Sequence, residues 1–479
     1  MNASCDIAVI GAGPAGAYAA LAAARHGLNV VMIDEQPQAG GQVWRAHSKA
    51  IAKAPASPES TAGARLRETL AASSVVTRYE TRAWHIERKN DIWSIGIIDN
   101  EAASTLLARG LILATGAHER VSPVPGWTLP GVIGLAGATA MFKRDLVLPG
   151  ERTVVAGSGP LLFYVAAEIL RLGGSVAALV SLNTRFDWLR ALPAMATRPD
   201  LLRRGLQWTA QIRRAGVPVL WGHAITAIEG TDAVKSVTTV PVNSDWSPQA
   251  SSAAKTFDAD SVCLGHGLTP ATEASRLAGA AHVYRAALGG WIPELDDMGA
   301  TSVPTLWACG DGAGVLGVGA APLRGELAGL AAARALGALS GIEAEAARRN
   351  ASSELRGARR FGAAMTALSI PRPGLLDLIT PDTHVCRCES VPREEIADET
   401  ASGANSPNTI KAGTRAGMGA CGGRYCTETV AQITAAATGR TREEIGLPTV
   451  RPPLRPVLLG TMVGDFEYDS LPVPGDAPL

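Results

Sequence analysis

Two rhythms of apolar and polar residues run along this chain, and the switches between them outline its elements. Short apolar runs, as expected of strands buried on both faces, occur at Ile7–Ile10, Asn29–Ile33, Arg109–Thr115, Thr153–Ala156, Ser175–Val180, Phe257–Leu264 and Thr305–Cys309. Ala-rich or amphipathic stretches between them predict helices over Tyr18–His26, Ala64–Ala72, Leu161–Leu172, Pro322–Leu339 and Glu343–Arg360. Arg185–Arg214 reads as a further amphipathic helix broken by Pro193 and Pro199, and residues 48–62 read as a loop. Ser74–Ile98 alternates like strands and predicts a short antiparallel insertion; Pro218–Val240 is strand-like. Strands alternating with helices predict an α/β architecture with parallel sheets.

The first strand runs into Gly11-Ala12-Gly13-Pro14-Ala15-Gly16 and then a helix. The first two glycines let backbone approach a pyrophosphate, and the third lets helix pack close to strand. The helix N-terminus offers free N–H groups and partial positive charge to a diphosphate. Asp34 ends the second strand 18 residues past Gly16, near the spacing of a ribose-binding carboxylate, with Glu35 beside it. Gly40-Gly41-Gln42 forms a loop able to lie against a bound diphosphate or flavin, or an ordinary glycine turn. Ala114-Thr115-Gly116 closes another strand at the end where ligands sit in doubly wound sheets. Gly310-Asp311 follows a strand and precedes an Ala-rich helix, so Asp311 can accept from ribityl hydroxyls or serve as a cap. A second unit, Gly157-Ser158-Gly159-Pro160, departs from the pattern: Leu162 holds the third glycine position, and the next strand ends in Ser181-Leu182-Asn183 without a carboxylate.

At 479 residues the chain exceeds the roughly 250–300 at which single cores stop growing, so two or three domains are expected. The 44 basic and 44 acidic residues cancel, which argues against nucleic acid or an anionic membrane as partner. No signal peptide or membrane span is read, and the expected location is cytoplasmic, where the seven cysteines stay reduced. Four of the seven fall within 41 positions, as Cys386-Arg387-Cys388 and Cys421-Gly422-Gly423-Arg424-Tyr425-Cys426. Helices expected at Arg393–Ser402 and Thr427–Thr438 would place each pair near a helix N-terminus, where the field favours thiolate. Four thiolates suit a 2Fe-2S cluster. They also suit zinc, for which Cys-x-Cys is tight, or a redox disulfide between Cys421 and Cys426. A flavin bound upstream would favour the one-electron carrier. Cys263 and Cys309 stand singly in apolar strands, and no redox pair lies near Gly41.

Gly11–Gly16, Ala114-Thr115-Gly116 and Gly310-Asp311 together resemble the flavoproteins with two dinucleotide-binding domains, in which the FAD domain is interrupted by a smaller nucleotide domain and then resumed. The resemblance implies FAD at the first loop, with Asp34 on the adenosine ribose and Asp311 on the ribityl chain. The cysteine module resembles the bacterioferritin-associated-ferredoxin-like 2Fe-2S domain. Its second pair here is Cys-x4-Cys rather than Cys-x2-Cys, which puts Cys426 in question as a ligand. Over nearly the whole chain, Thr115-Gly116-Ala117-His118-Glu119-Arg120, Pro125–Val132, Thr414–Gly419 and the cysteines resemble the alpha (A) subunit of amine and amino-acid dehydrogenases, the family of opine oxidases, proline and hydroxyproline dehydrogenases and hydrogen cyanide synthase.

That resemblance implies an electron-transfer subunit. A partner beta subunit with its own FAD would oxidise a secondary amine or amino acid, and this chain would relay the electrons. It leaves room for FMN at a subunit interface and for a small ferredoxin-like subunit. No motif supplies a catalytic nucleophile or acid–base pair; His118 reads as a polar lining residue. The implied layout is an FAD-binding domain over 1–122 and 285–345, a second nucleotide domain over 123–284, a linker over 346–380, a 2Fe-2S domain over 381–445 and a tail over 446–479. The alternatives are an NAD(P)H-dependent FAD/2Fe-2S reductase and a non-enzymatic scaffold that binds a nucleotide and zinc.

Overall fold

The computed structural model describes residues 3–51, 57–99, 102–249 and 253–463. Strand β1 (Ala3–Ile10) turns into helix α1 (Pro14–Ala24) and returns as β2 (Val30–Ile33). Helix α2 (Pro58–Ala71), β3 (Val76–Arg78), β4 (Thr81–Lys89), β5 (Ile92–Asp99) and β6 (Ala102–Leu113) follow. They form one sheet in the order β3-β2-β1-β6-β5-β4. β1, β2 and β3 are parallel, and β6 runs parallel to β1 with Ile10 opposite Leu113. β4 and β5 extend the same sheet as an antiparallel hairpin. The expected insertion is thus continuous with the nucleotide-binding sheet, because β6 is twelve residues long and carries β5 along its outer half.

Helix α2 begins inside the stretch expected as a loop. Ser57 accepts from the Ser60 N–H, Ser60 answers to the Ser57 N–H, and Pro58 stands in the first turn, a capping box that starts a helix among polar residues. Positions 52–56 of that stretch lie outside the described residues.

The chain then enters a second domain through β7 (Ala117–Glu119), β8 (Val132–Gly134) and α3 (Leu135–Asp145). It continues as β9 (Arg152–Gly157), α4 (Leu161–Arg171), β10 (Ser175–Ser181), α5 (Arg185–Met195), α6 (Pro199–Arg214) and β11 (Val219–Trp221). A separate antiparallel sheet, β12 (His223–Gly230), β13 (Val234–Pro241) and β14 (Lys255–Asp258), precedes β15 (Ser261–Gly265), β16 (Leu268–Pro270) and α7 (Glu273–Leu277). The central sheet is parallel, in the order β11-β10-β9-β15-β8. Pro193 does not break its helix: it sits in the last turn of α5, and the chain breaks at 196–198 before Pro199 opens α6. Strand β7 leaving the first domain pairs antiparallel with β16 returning to it.

Beyond β17 (His282–Arg285) and β18 (Gly290–Pro293), strand β19 (Leu306–Ala308) docks on β6 with Leu306 opposite Leu111, and α8 (Ala321–Ala335) packs on α1. Close approach of those helices requires small residues: a Cβ at Gly325 would lie 2.0 Å from Ala15 O, and one at Gly329 would lie 2.3 Å from Ala19 O. Helix α9 (Gly341–Ala367) runs well into the expected linker. Its Leu355 and Ala358 join the first core, and Leu375 and Leu378 beyond it join the core of the second domain. The stretch 346–380 is therefore packed structure, held by its own apolar side chains.

The C-terminal module comprises β20 (His384–Cys386), β21 (Val391–Pro392), α10 (Arg393–Ala401), α11 (Pro407–Thr414), α12 (Thr427–Thr438) and α13 (Arg442–Ile445), around its own small core of Val385, Ile396, Ile410 and Val430. The expected tail is tied back as far as it is described: Leu454 N–H donates to Trp84 O, and Arg455 pairs with Glu35.

Candidate functional site

The first glycine loop is shaped by contacts that tolerate no side chain. Gly11 has φ +105°, and a Cβ there would stand 2.3 Å from Ala114 O; one at Gly16 would stand 1.8 Å from Gly11 O. At Gly13 the nearest atom to an added Cβ is Gly41 Cα at 3.8 Å, so Gly41 borders the cradle. Gly13 caps α1 without any side-chain hydrogen bond, and the first turn of Pro14, Ala15 and Gly16 carries no acidic residue. Its amides are left for an anion.

Asp34 turns toward this loop, and both of its oxygens accept backbone N–H groups, from Ala12 at 2.6 Å and Gln36 at 2.7 Å. Burial pushes its pKa up against those hydrogen bonds. Glu35 pairs with Arg455 at 3.0 Å, and Gln42 Oε1 accepts from Arg45 at 2.8 Å. Thr115 Oγ1 donates to Ala271 O at 2.7 Å, while Gly116 has open space where a Cβ would be. The turn carrying Gly310 and Asp311 lies beside both motifs: a Cβ at Gly310 would be 2.8 Å from Ala15 Cβ, and one at Gly312 would be 2.7 Å from Thr115 Oγ1. Asp311 Oδ1 accepts from the N–H groups of Leu316 and Gly317, which leaves Oδ2 for a further partner. The three motifs therefore converge on one cradle, whose cap-free helix end and enforced glycines fit a dinucleotide.

Arg324 also serves this site, without any sequence signal to announce it. Its buried guanidinium donates to the carbonyls of Gly310, Ala313 and Gly314 at 2.6–2.8 Å and holds the Asp311 turn in shape.

The second glycine loop has the same strand–turn–helix form and a different environment. Asn183, 0 % exposed, stands where a ribose carboxylate would be expected. Its Oδ1 accepts from Gly159 N–H at 2.9 Å, and its Nδ2 donates to Leu368 O at 2.8 Å. Ser369 lies directly on the loop: a Cβ at Gly159 would be 2.1 Å from Ser369 Oγ. Arg120 donates to Ser369 O, and Arg372 pairs with Asp187 and donates to Ser244 O. The turn that follows α9 thus fills the crevice where a second dinucleotide would lie.

In the cysteine module all four thiols are free, as are Cys5, Cys263 and Cys309. Contacts join them across the two sequence pairs, Cys386 with Cys426 and Cys388 with Cys421. The Cys426 thiol donates to Cys386 and, with N–H groups of Gly417, Glu389 and Cys388, holds Cys386 down to about 5, although burial opposes this. The same hydrogen bond, with burial, pushes Cys426 up, and burial and then Cys421 raise Cys388. Gly419 admits this approach, because a Cβ there would fall 2.2 Å from Cys388 Cβ. Among the described residues no three His, Cys, Asp or Glu side chains gather as a site for a metal ion. A single tetrahedral ion such as zinc needs its donors around one point, whereas a 2Fe-2S cluster spreads four thiolates over two irons. Two thiol pairs with N–H donors to sulfur fit the cluster better. The crosswise contacts do not favour a Cys421–Cys426 disulfide, and burial raises lone Cys309 to about 12 and pushes Cys263 up further, so neither is a reactive thiol.

The module meets the first domain at a cavity of about 310 Å³ lined by His118, Glu119, Cys421, Arg424, Tyr425 and Arg455. His118 Nε2 lies 3.0 Å from Glu273 Oε1, so it does line a pocket, in partnership with a carboxylate that carries no sequence signal. Burial raises Glu119 to about 7 against hydrogen bonds from the N–H groups of Ala136, Gly137 and Leu135.

Fold and site together define a flavoprotein-type oxidoreductase with a Rossmann-like, FAD-type body and a small C-terminal 2Fe-2S-binding domain. Residues 5–337 match the pyridine nucleotide-disulphide oxidoreductase family and residues 384–436 the BFD-like [2Fe-2S] binding domain. The chain belongs to that oxidoreductase family and, within it, to the family of the opine oxidase A subunits. It is 34% identical over 466 residues to the A subunit of opine oxidase from Rhizobium meliloti (strain 1021), covering 95% of this chain and 97% of that one. It is 30% identical over 470 residues to hydrogen cyanide synthase subunit HcnB of Pseudomonas protegens, covering 95% and 96%. Its fold is shared by L-proline dehydrogenase from P. horikoshii, with a TM-score of 0.69 and 21% identity, over 96% of this chain and 80% of that chain. No helix among the described residues is long and apolar enough to cross a membrane.

Proposed function

We propose that this chain is the electron-transfer subunit of a multi-subunit dehydrogenase acting on a secondary amine or amino acid of the opine, proline or hydroxyproline type. In this reading a partner FAD-containing beta subunit oxidises the substrate, and the chain passes electrons to an external acceptor. A small ferredoxin-like subunit would complete the assembly, in the cytoplasm. The observation that carries the reading is the opposite state of the two nucleotide loops: α1 begins uncapped behind its enforced glycines, and the second loop is filled by Asn183, Leu368 and Ser369. The relatives named as subunits of opine oxidase and hydrogen cyanide synthase support the division of labour.

FAD and a 2Fe-2S cluster, when bound, supply two-electron and one-electron redox chemistry respectively. The α1 N-terminus at Gly11, Gly13, Pro14, Ala15 and Gly16 would bind the diphosphate. Asp34 shapes the loop and, with Glu35, would face the adenosine ribose; Gly41, Gln42, Thr115 and Gly116 would border the cofactor, and Gly310 and Asp311 would orient its ribityl chain. Cys386, Cys388, Cys421 and Cys426 would hold the cluster. No acid–base pair is assigned, because the reading puts the substrate on the partner. FMN is not required by it.

The test is purification of the complex from native cells, with a visible spectrum, iron analysis and a screen of amine substrates. The reading expects flavin and iron in this chain and amine oxidation only when the partner is present. If the chain alone oxidises an amine, the division of labour is wrong. The NAD(P)H-reductase alternative is met by stopped-flow mixing with NADH and NADPH, where rapid flavin bleaching would overturn the relay. Zinc without iron in a colourless protein would establish the scaffold instead.

A further inference from the structure

The second cysteine pair, Cys421 and Cys426, encloses four residues, and this spacer has a defined shape. Gly422 and Gly423 both take left-handed backbone, with φ +63° and +80°. Their turn brings the Arg424 guanidinium back onto its own loop, where Nη1 donates to Cys421 O at 2.6 Å. Nη2 donates to Leu454 O at 2.7 Å, and Nε stands 3.3 Å from Glu273 Oε1. The Arg424 side chain is only 12% exposed.

Glu273 is anchored from the other side. Two residues earlier, Ala271 donates its N–H to Gly116 O at 3.0 Å and accepts from Thr115 Oγ1 at 2.7 Å. His118, three residues past Thr115, donates to the same Glu273 carboxylate at 3.0 and 3.3 Å. Burial works against the charge on Glu273, but His118 and then Arg424 hold its pKa down to about 2, so it stays ionised. A short chain of fixed polar groups therefore runs from the strand end at Thr115-Gly116 through Glu273 and Arg424 to Cys421.

We propose that Arg424 is a positioning residue for the cluster: it fixes the Cys421 side of the ligand set against the flavin-type domain and sets a permanent positive charge beside it, balanced by Glu273. This rests on the 2Fe-2S reading above. Charge and hydrogen bonding near the sulfurs set a cluster's reduction potential, and a nearby cation favours the reduced, more negative form.

The experiment is an EPR-monitored redox titration of the holo chain and three variants, with iron determined on each. Arg424→Met is expected to lower the cluster midpoint potential, Glu273→Gln to raise it, and Arg424→Lys to lie between wild type and Arg424→Met. In the cluster-free chain, Arg424→Met should also speed amide hydrogen exchange at residues 421–426 severalfold while leaving residues 385–388 unchanged. A purely structural role for Arg424 would not produce opposite shifts from the two partners. Unchanged midpoints in Arg424→Met and Glu273→Gln, or shifts of the same sign, overturn the proposal. Wild-type protein without iron overturns the 2Fe-2S reading instead; the exchange rates then decide the positioning role alone.

Discussion

The loops at Gly11–Gly16 and Gly157–Gly159 are built alike and used in opposite ways. Each follows a buried parallel strand and opens a helix. At the first, α1 begins uncapped and the surrounding contacts are backbone and small side chains, so space for an anion is preserved. At the second, the chain supplies its own occupant, a serine on the glycine and an asparagine bridging loop to plug. A third helix end, that of α3, has its N–H groups taken by Glu119. The strand–turn–helix unit offers N–H groups in every case, and what distant parts of the chain place before them decides whether a ligand can enter.

The largest break in this comparison is Gly16→Val. Its Cβ would fall inside contact distance of Gly11 O, and the substitution should cost more than about 4 kcal/mol and abolish flavin binding, as read from the visible spectrum and urea unfolding. Asn183→Asp comes next: a carboxylate cannot donate to Leu368 O, and the charge is buried. It should destabilise by about 3–5 kcal/mol in urea unfolding, without creating NADH affinity by calorimetry.

Glu119→Gln sharpens the contrast at the third helix end. The folded protein keeps the Glu119 proton up to about pH 7, whereas the unfolded chain loses it near its ordinary pKa of 4.5. Wild-type stability therefore falls as pH rises from 4.5 to 7 and is flat in this respect outside that window, by at most about 3 kcal/mol. The glutamine variant should lack that slope and be the more stable protein at pH 8, which urea melts at pH 5 and 8 will measure. Arg372→Ala is the smallest effect. Its pair with Asp187 is partly exposed and its guanidinium lies 4.9 Å from the Trp246 ring centre, so about 1 kcal/mol is expected, with faster hydrogen exchange at residues 368–372.

These contrasts also mark how far the sequence could be read. The first cradle was legible because its glycines, Asp34 and the following helix are neighbours in sequence, and steric necessity writes itself into such local motifs. The second loop was legible only as a departure, through Leu162 and Asn183; its filling by Ser369 joins residues more than about two hundred positions apart, which no local pattern encodes. Likewise the Cys-x-Cys spacing announced four thiols but not their crosswise pairing, which depends on how α10–α12 fold the module. Glu273 left no trace, since its charge partners His118 and Arg424 lie far along the chain, and Arg324 left none because it acts on backbone carbonyls, which no side-chain motif marks. The start of helix α2, though not the helix itself, was missed for the opposite reason: Ser57-Pro58 with Ser60 is a local start signal, hidden in a stretch read by its polarity alone.

The seam between α1 and α8 has a consequence for the making of the protein. The partner of β6, β19, lies about two hundred residues downstream of it, and the partner of α1, α8, about three hundred. At translation speeds of ~5–20 residues per second, the Ala-rich face of α1 waits roughly 10–45 s for α8 after β6 has emerged. During that interval most of the second domain has emerged but Leu375 and Leu378 of its core have not, and the N-terminal half must stay soluble without its partner helix. A chain that stops before residue 306 should therefore aggregate even though it contains the whole glycine loop, and a solubility series of C-terminal truncations will locate the residue at which the nascent protein becomes safe.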